Sequence, residues 1–131
     1  MLPIMGRVTI EGRFPSLNDY IKALQQHRLR GAAMKSDETE RVRLHFLSHP
    51  KLDIPVYISL TWYEPNTRRD PDNIVFAKKF IFDGLVKAGV IPDDSQKWIV
   101  GFEDMVNVDK ENPRVEISVI GVTNASPKQT N

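Results

Sequence analysis

The chain contains no cysteine. Disulfides, thiolate zinc sites and cysteine nucleophiles are thereby excluded together, and a reducing cytoplasm suits the composition. No run of apolar residues is long enough to cross a bilayer, so no membrane association is expected. Met1 to Arg13 has neither the charged start nor the apolar stretch of a secretion signal, and reads instead as a first strand. Internal repeats, a glycine-rich phosphate loop, a G-x-S-x-G elbow and an H-E-x-x-H pattern are all missing. His27, His45 and His49 lack metal-ligand spacing and are assigned to structure or surface. Nor is there a large excess of either charge, the formal net charge being +1. What is present is a chain of 131 residues, 40% of them hydrophobic, enough for one domain with a single core.

The charges are unevenly spread. Between Tyr20 and Ser36 stand Lys22, Arg28, Arg30 and Lys35 with His27 and no acid. A phosphate backbone needs such a stretch, although a solvated, mobile loop is the plainer explanation.

Hydrophobic periodicity predicts the elements. Met5 to Glu11 alternates as a strand, with Val8 and Ile10 on one side. Leu17 to Gln26 suits a short helix, and Gly31 is placed in the loop after it. Asp37 and Glu40 resemble a capping box opening a helix to about Ser48, with Val42, Leu44, Phe46 and Leu47 apolar. Val56, Ile58, Leu60 and Trp62 alternate with Tyr57, Ser59, Thr61 and Tyr63, a strand with both faces at least partly buried. A second long helix is predicted from after Asp72 to Ala88, ended by Gly89. Strands over Lys97 to Glu103 and Arg114 to Ile120 flank a turn at Asp109 to Pro113. The resulting order is β-α-β-α-β-β: an α+β fold with a mixed β-sheet and helices packed on it. One domain is expected over 1–122, with a polar, disordered tail at 123–131.

Chemistry concentrates at Asp70-Pro71-Asp72-Asn73 and at Asp93-Asp94. If the backbone is extended at Asp70, Asp70 and Asp72 project to one side, and proline disfavours a helical conformation at the residue before it. Paired carboxylates there suit Mg²⁺, a hard cation that prefers oxygen ligands. An N-cap role for Asp72 also accounts for its presence. Lys79 lies nearly in phase with Asp72 on the helix, while Lys78 points toward the apolar face and must snorkel or meet a buried anion. The predicted helix is apolar around much of its circumference, which requires either a second subunit or coverage from both sides by its own domain. A helix from Asn73 to Ala88 carries the chain ~24 Å, and the six residues to Asp94 return at most ~20 Å. Asp94 therefore joins its own subunit's site only if the connection doubles straight back; otherwise it serves a neighbour's.

The order Asp70-x-Asp72-Asn73, then Phe82-Asp83-Gly84-Leu85-Val86-Lys87-Ala88-Gly89, then Asp93-Asp94-x-Gln96, resembles the RusA-type Holliday junction resolvases of phages and prophages. Pro15-Ser16-Leu17-Asn18-Asp19-Tyr20 is similar to the family's N-terminal element, and Asn112-Pro113-Arg114-Val115-Glu116-Ile117 to its last strand. The resemblance implies a homodimeric, Mg²⁺-dependent endodeoxyribonuclease, with Mn²⁺ as a substitute, that nicks four-way DNA junctions symmetrically in recombination and repair inside a bacterial cell. It carries the three catalytic, metal-binding aspartates onto Asp70, Asp72 and Asp94. The family's helix lysine falls on Lys79 when counted back from Phe82-Asp83, with Lys78 the alternative. Lys22, Arg28, Arg30 and Lys35, with Arg68 and Arg69 beside the aspartates, are then the DNA-binding residues. A branched-DNA nuclease without resolvase symmetry, and a non-catalytic DNA-binding dimer, are the competing readings.

Overall fold

The computed structural model describes residues 6–123. Met5 of the expected first strand and all but Thr123 of the expected tail lie outside these residues. Four strands, β1 (Val8–Glu11), β2 (Val56–Glu64), β3 (Ile99–Val108) and β4 (Arg114–Gly121), form one mixed sheet in the order β1-β4-β2-β3. β2 pairs parallel to β3, while β4 runs antiparallel to both β1 and β2. The chain is α+β, as the periodicity predicts.

The core lies on one face of the sheet. Val56, Ile58, Leu60 and Trp62 of β2 and Val115, Ile117 and Val119 of β4 are buried there against Phe80, Ile81 and Leu85. Tyr57, Ser59, Thr61 and Tyr63 project to the opposite face and are half-buried, so both faces of β2 are partly covered.

The helices depart from expectation in two places. The second helix begins at Arg28, not Asp37: α1 (Leu17–Gln26) is followed directly by α2 (Arg28–His45). The His27 side chain accepts the Leu29 N–H at 3.0 Å and so caps α2, a role usually taken by Ser, Thr, Asp or Asn. The basic stretch is therefore helical rather than a mobile loop. Gly31 lies inside α2 instead of in a loop. It is buried, and a Cβ there would clash with the Leu24 side chain. Leu44 and Leu47, read as apolar anchors, are exposed, while Val42 and Phe46 are buried.

The long helix after Asp72 is likewise two helices, α3 (Pro71–Val75) and α4 (Lys78–Lys87), broken at Phe76–Ala77. Its end is as expected. Gly89 adopts φ +77, its N–H donates to Val86 O at 3.0 Å, and the Val90 N–H donates to Leu85 O at 2.9 Å, the Schellman pattern. The apolar circumference is partly covered within the chain, with Val75, Phe76, Phe82 and Val86 left half-buried. Tyr20 packs on Phe76 and Phe80, and Phe82 meets Phe102 of β3 edge-on.

Candidate active site

The α3–α4 pair is the crossover between the parallel strands β2 and β3. Asp70 and Asp72 therefore stand just beyond the carboxyl end of β2, where open sheets generally present their functional groups. Asp70, not Asp72, is the N-cap of α3. It is extended at φ −69, ψ 150, and its carboxylate makes no capping bond. Proline at the first helical position costs no hydrogen bond there, and among the described residues the Asp70 carboxylate has no hydrogen-bond or ion-pair partner. Asp72 lies in the first turn, with Oδ1 accepting the Asn73 N–H at 3.0 Å. Both aspartates are exposed.

This junction is clamped on both sides. The Asn73 side-chain oxygen accepts the Asn18 N–H at 3.2 Å, so the P-S-L-N element and the D-P-D-N element touch directly. Ser16 and Asp19 form a capping box on α1, and Asp19 also accepts from Arg69 at 3.2 Å. The hydrogen bond from the Ser16 backbone, with the nearby Arg69 charge, lowers the Asp19 pKa from its ordinary value. Arg69 donates to Phe14 O at 3.0 Å as well and lies 3.9 Å from the buried Glu64 carboxylate. Glu64 is held in turn by Arg13 through Nε at 3.2 Å and Nη2 at 2.6 Å.

The two helix lysines have separate surroundings. Lys78, 21% exposed, pairs with Asp104 of β3 under the face of the Phe102 ring, and the Trp62 indole N–H donates to the other Asp104 oxygen at 2.8 Å. Lys79, 54% exposed, lies 3.1 Å from Asp83 and 3.9 Å from Asp94. The connection after α4 thus doubles back far enough to set Asp94 beside the first turn of α4 in its own chain. Asp93 is exposed.

Aspartate oxygens are the right donors for a hard divalent cation, and the Asp70 carboxylate, without a partner among the described residues, suits one. Among the described residues, however, no group of three or more His, Asp or Glu is drawn close enough to hold a metal ion. The structure brings Lys79, Asp83 and Asp94 together, and places Asp70 and Asp72 two residues apart at the head of α3.

The basic residues also separate. Lys22, Arg30 and Arg69 line one cleft together with Arg13, which the sequence reading did not single out. Lys35 lines a different groove, between α2 and α4, with Lys87, Asp83 and Asp94. Arg28 and Arg68 are exposed outside both. Arg13 and Glu64 went unnoticed because their pairing spans 51 residues and carries no local pattern.

In a comparison with known families, the profile described as Endodeoxyribonuclease RusA matches residues 15–120. No curated protein matches the chain significantly.

Proposed function

Because the chain belongs to the RusA endodeoxyribonuclease family, we propose that it is a magnesium-dependent homodimer that resolves four-way DNA junctions by paired, symmetric nicks, serving recombination and repair in a bacterial cytoplasm. The observation that carries this reading is the Asp70 carboxylate just beyond the carboxyl end of β2, without a partner among the described residues and two residues from Asp72 in a clamped strand–helix junction. The return of Asp94 to the first turn of α4 supports it further.

In this reading Asp70, Asp72 and Asp94 are the ligands of Mg²⁺ or Mn²⁺, which when bound supplies Lewis-acid chemistry at the scissile phosphate. Their assembly requires Asp94 and the head of α3 to draw together on metal and DNA. Lys79, rather than Lys78, is the lysine at the site: Lys78 is largely covered and held by Asp104, whereas Lys79, though paired with Asp83, is exposed and has its ammonium beside Asp94. That positive charge stabilises negative charge building on the phosphate. Lys22, Arg28, Arg30, Lys35, Arg68 and Arg69 hold DNA backbone, and a two-fold dimer matches the two-fold junction.

The test is cleavage of a mobile four-way junction with Mg²⁺ and with EDTA. Paired symmetric nicks are expected with Mg²⁺ and none with EDTA. Asp70→Asn, Asp72→Asn and Asp94→Asn are expected to abolish nicking while junction binding persists. Cleavage that survives these substitutions overturns the site, and wild-type binding without cleavage favours the non-catalytic dimer.

A further inference from the structure

Arg13, Lys22, Arg30 and Arg69 converge on a cleft of about 630 Å³ between α1, α2 and the segment leading to Asp70. The acids near it are already engaged. Asp19 accepts from the Ser16 backbone and Arg69, Glu38 pairs with Arg41 at 2.9 Å, and Glu64 is buried beneath Arg13. Among the described residues, neither Lys22 nor Arg30 makes a salt bridge.

We propose that this cleft is a phosphodiester subsite for a DNA strand, separate from the scissile phosphate, and that Arg13 is a DNA-contacting residue within it. The proposal rests on the nuclease reading above and deepens it. Glu64 takes the Nε and Nη2 edge of the Arg13 guanidinium, so that side chain is immobilised before DNA arrives and its third nitrogen, Nη1, lies beyond the fork. A guanidinium already ordered in this way loses little rotamer entropy on meeting a phosphate. Lys22 supplies a flexible second charge, and Arg69 links the cleft to Asp70. A strand seated here passes from the α1–α2 side toward the head of α3.

The experiment measures the affinity of the full chain for a four-way junction in EDTA as salt is raised. Each phosphate contact adds nearly one unit to the slope of log affinity against log salt. Arg13→Met and Lys22→Met are each expected to make the slope shallower by about one per engaged cleft. Arg7→Met removes the same charge from the far side of the sheet, where Arg7 pairs with Glu116, and is expected to leave the slope unchanged. If Arg13→Met fails to fold because Glu64 is left buried and unpaired, Arg13→Met with Glu64→Gln removes the orphaned charge, and the exposed Lys22→Met stands as an independent arm. Slopes for the cleft variants equal to that of Arg7→Met overturn the subsite. Wild-type protein that neither binds nor cuts junctions overturns the nuclease reading itself, so the two failures are distinct.

Discussion

Lys78 and Lys79 are adjacent in the chain and opposite in circumstance. Lys78 is largely covered and ion-paired to Asp104, so Lys78→Met strands a carboxylate that also holds the Trp62 indole. A loss of about 1–3 kcal/mol in stability is expected, read by denaturant unfolding. Lys79 is exposed, and its pairs with Asp83 and Asp94 contribute little to folding. Lys79→Met is therefore expected to unfold with wild type while its single-turnover nicking rate falls by about 10²–10³. Asp19 supplies a pH-dependent test. Its pKa is lowered in the folded protein, so its stabilisation is fully present above the ordinary value of 3.8 and is lost as pH falls through the lower folded value. The stability gap between wild type and Asp19→Asn is thus expected to be constant near neutrality and to close in acid. A gap that widens in acid contradicts the assignment.

Helix boundaries and helix contacts were only partly legible along the chain. Gly89 announced the end of α4 correctly, because a left-handed terminator is a local requirement. The break at Phe76–Ala77 has no glycine or proline to mark it; it arises where Tyr20, Phe76 and Phe80 stack. The start of α2 was hidden because a histidine serves as its cap, and Gly31 was misread because its smallness serves packing against Leu24 rather than a turn. Two buried glycines at helix contacts should respond differently to alanine. At Gly84 a Cβ would come within 2.4 Å of Val42 and 3.1 Å of the Thr39 carbonyl, neither of which can yield easily. Gly84→Ala is expected to cost about 1–3 kcal/mol by thermal or denaturant melting. Gly31→Ala meets a Leu24 side chain that is 42% exposed and can swing aside, so its cost is expected to be clearly smaller.

The arrangement of the whole molecule bears on which subunit completes which site. An unbroken helix made the return of Asp94 marginal. In the fold the connection doubles back, and Asp94 meets Lys79 of its own chain at 3.9 Å. A cis arrangement predicts that mixing Asp70→Asn and Asp94→Asn proteins restores no nicking, even when subunit exchange is demonstrated. Recovery of activity in the mixture would show that Asp94 acts in trans.

The sequence by itself determined the class of fold, most strand positions and the D-x-D-N and D-D-x-Q elements, because strand alternation, turn residues and carboxylate spacing are properties of neighbours in the chain. Tertiary structure alone decided that Asp70 is the cap and Asp72 is not, that Lys78 belongs to Asp104, that Asp94 returns to α4, and that Lys22, Arg30 and Arg69 share one cleft with Arg13 while Lys35 lines another and Arg28 and Arg68 lie outside both. Those outcomes depend on pairings such as Arg13 with Glu64, Asn18 with Asn73 and Lys78 with Asp104, whose partners lie 51, 55 and 26 residues apart. Packing geometry selects such pairs, and no local periodicity encodes them. Asp70-Pro71-Asp72-Asn73 is visible as a motif in the sequence; that the Asp70 carboxylate makes no capping bond is visible only in the fold.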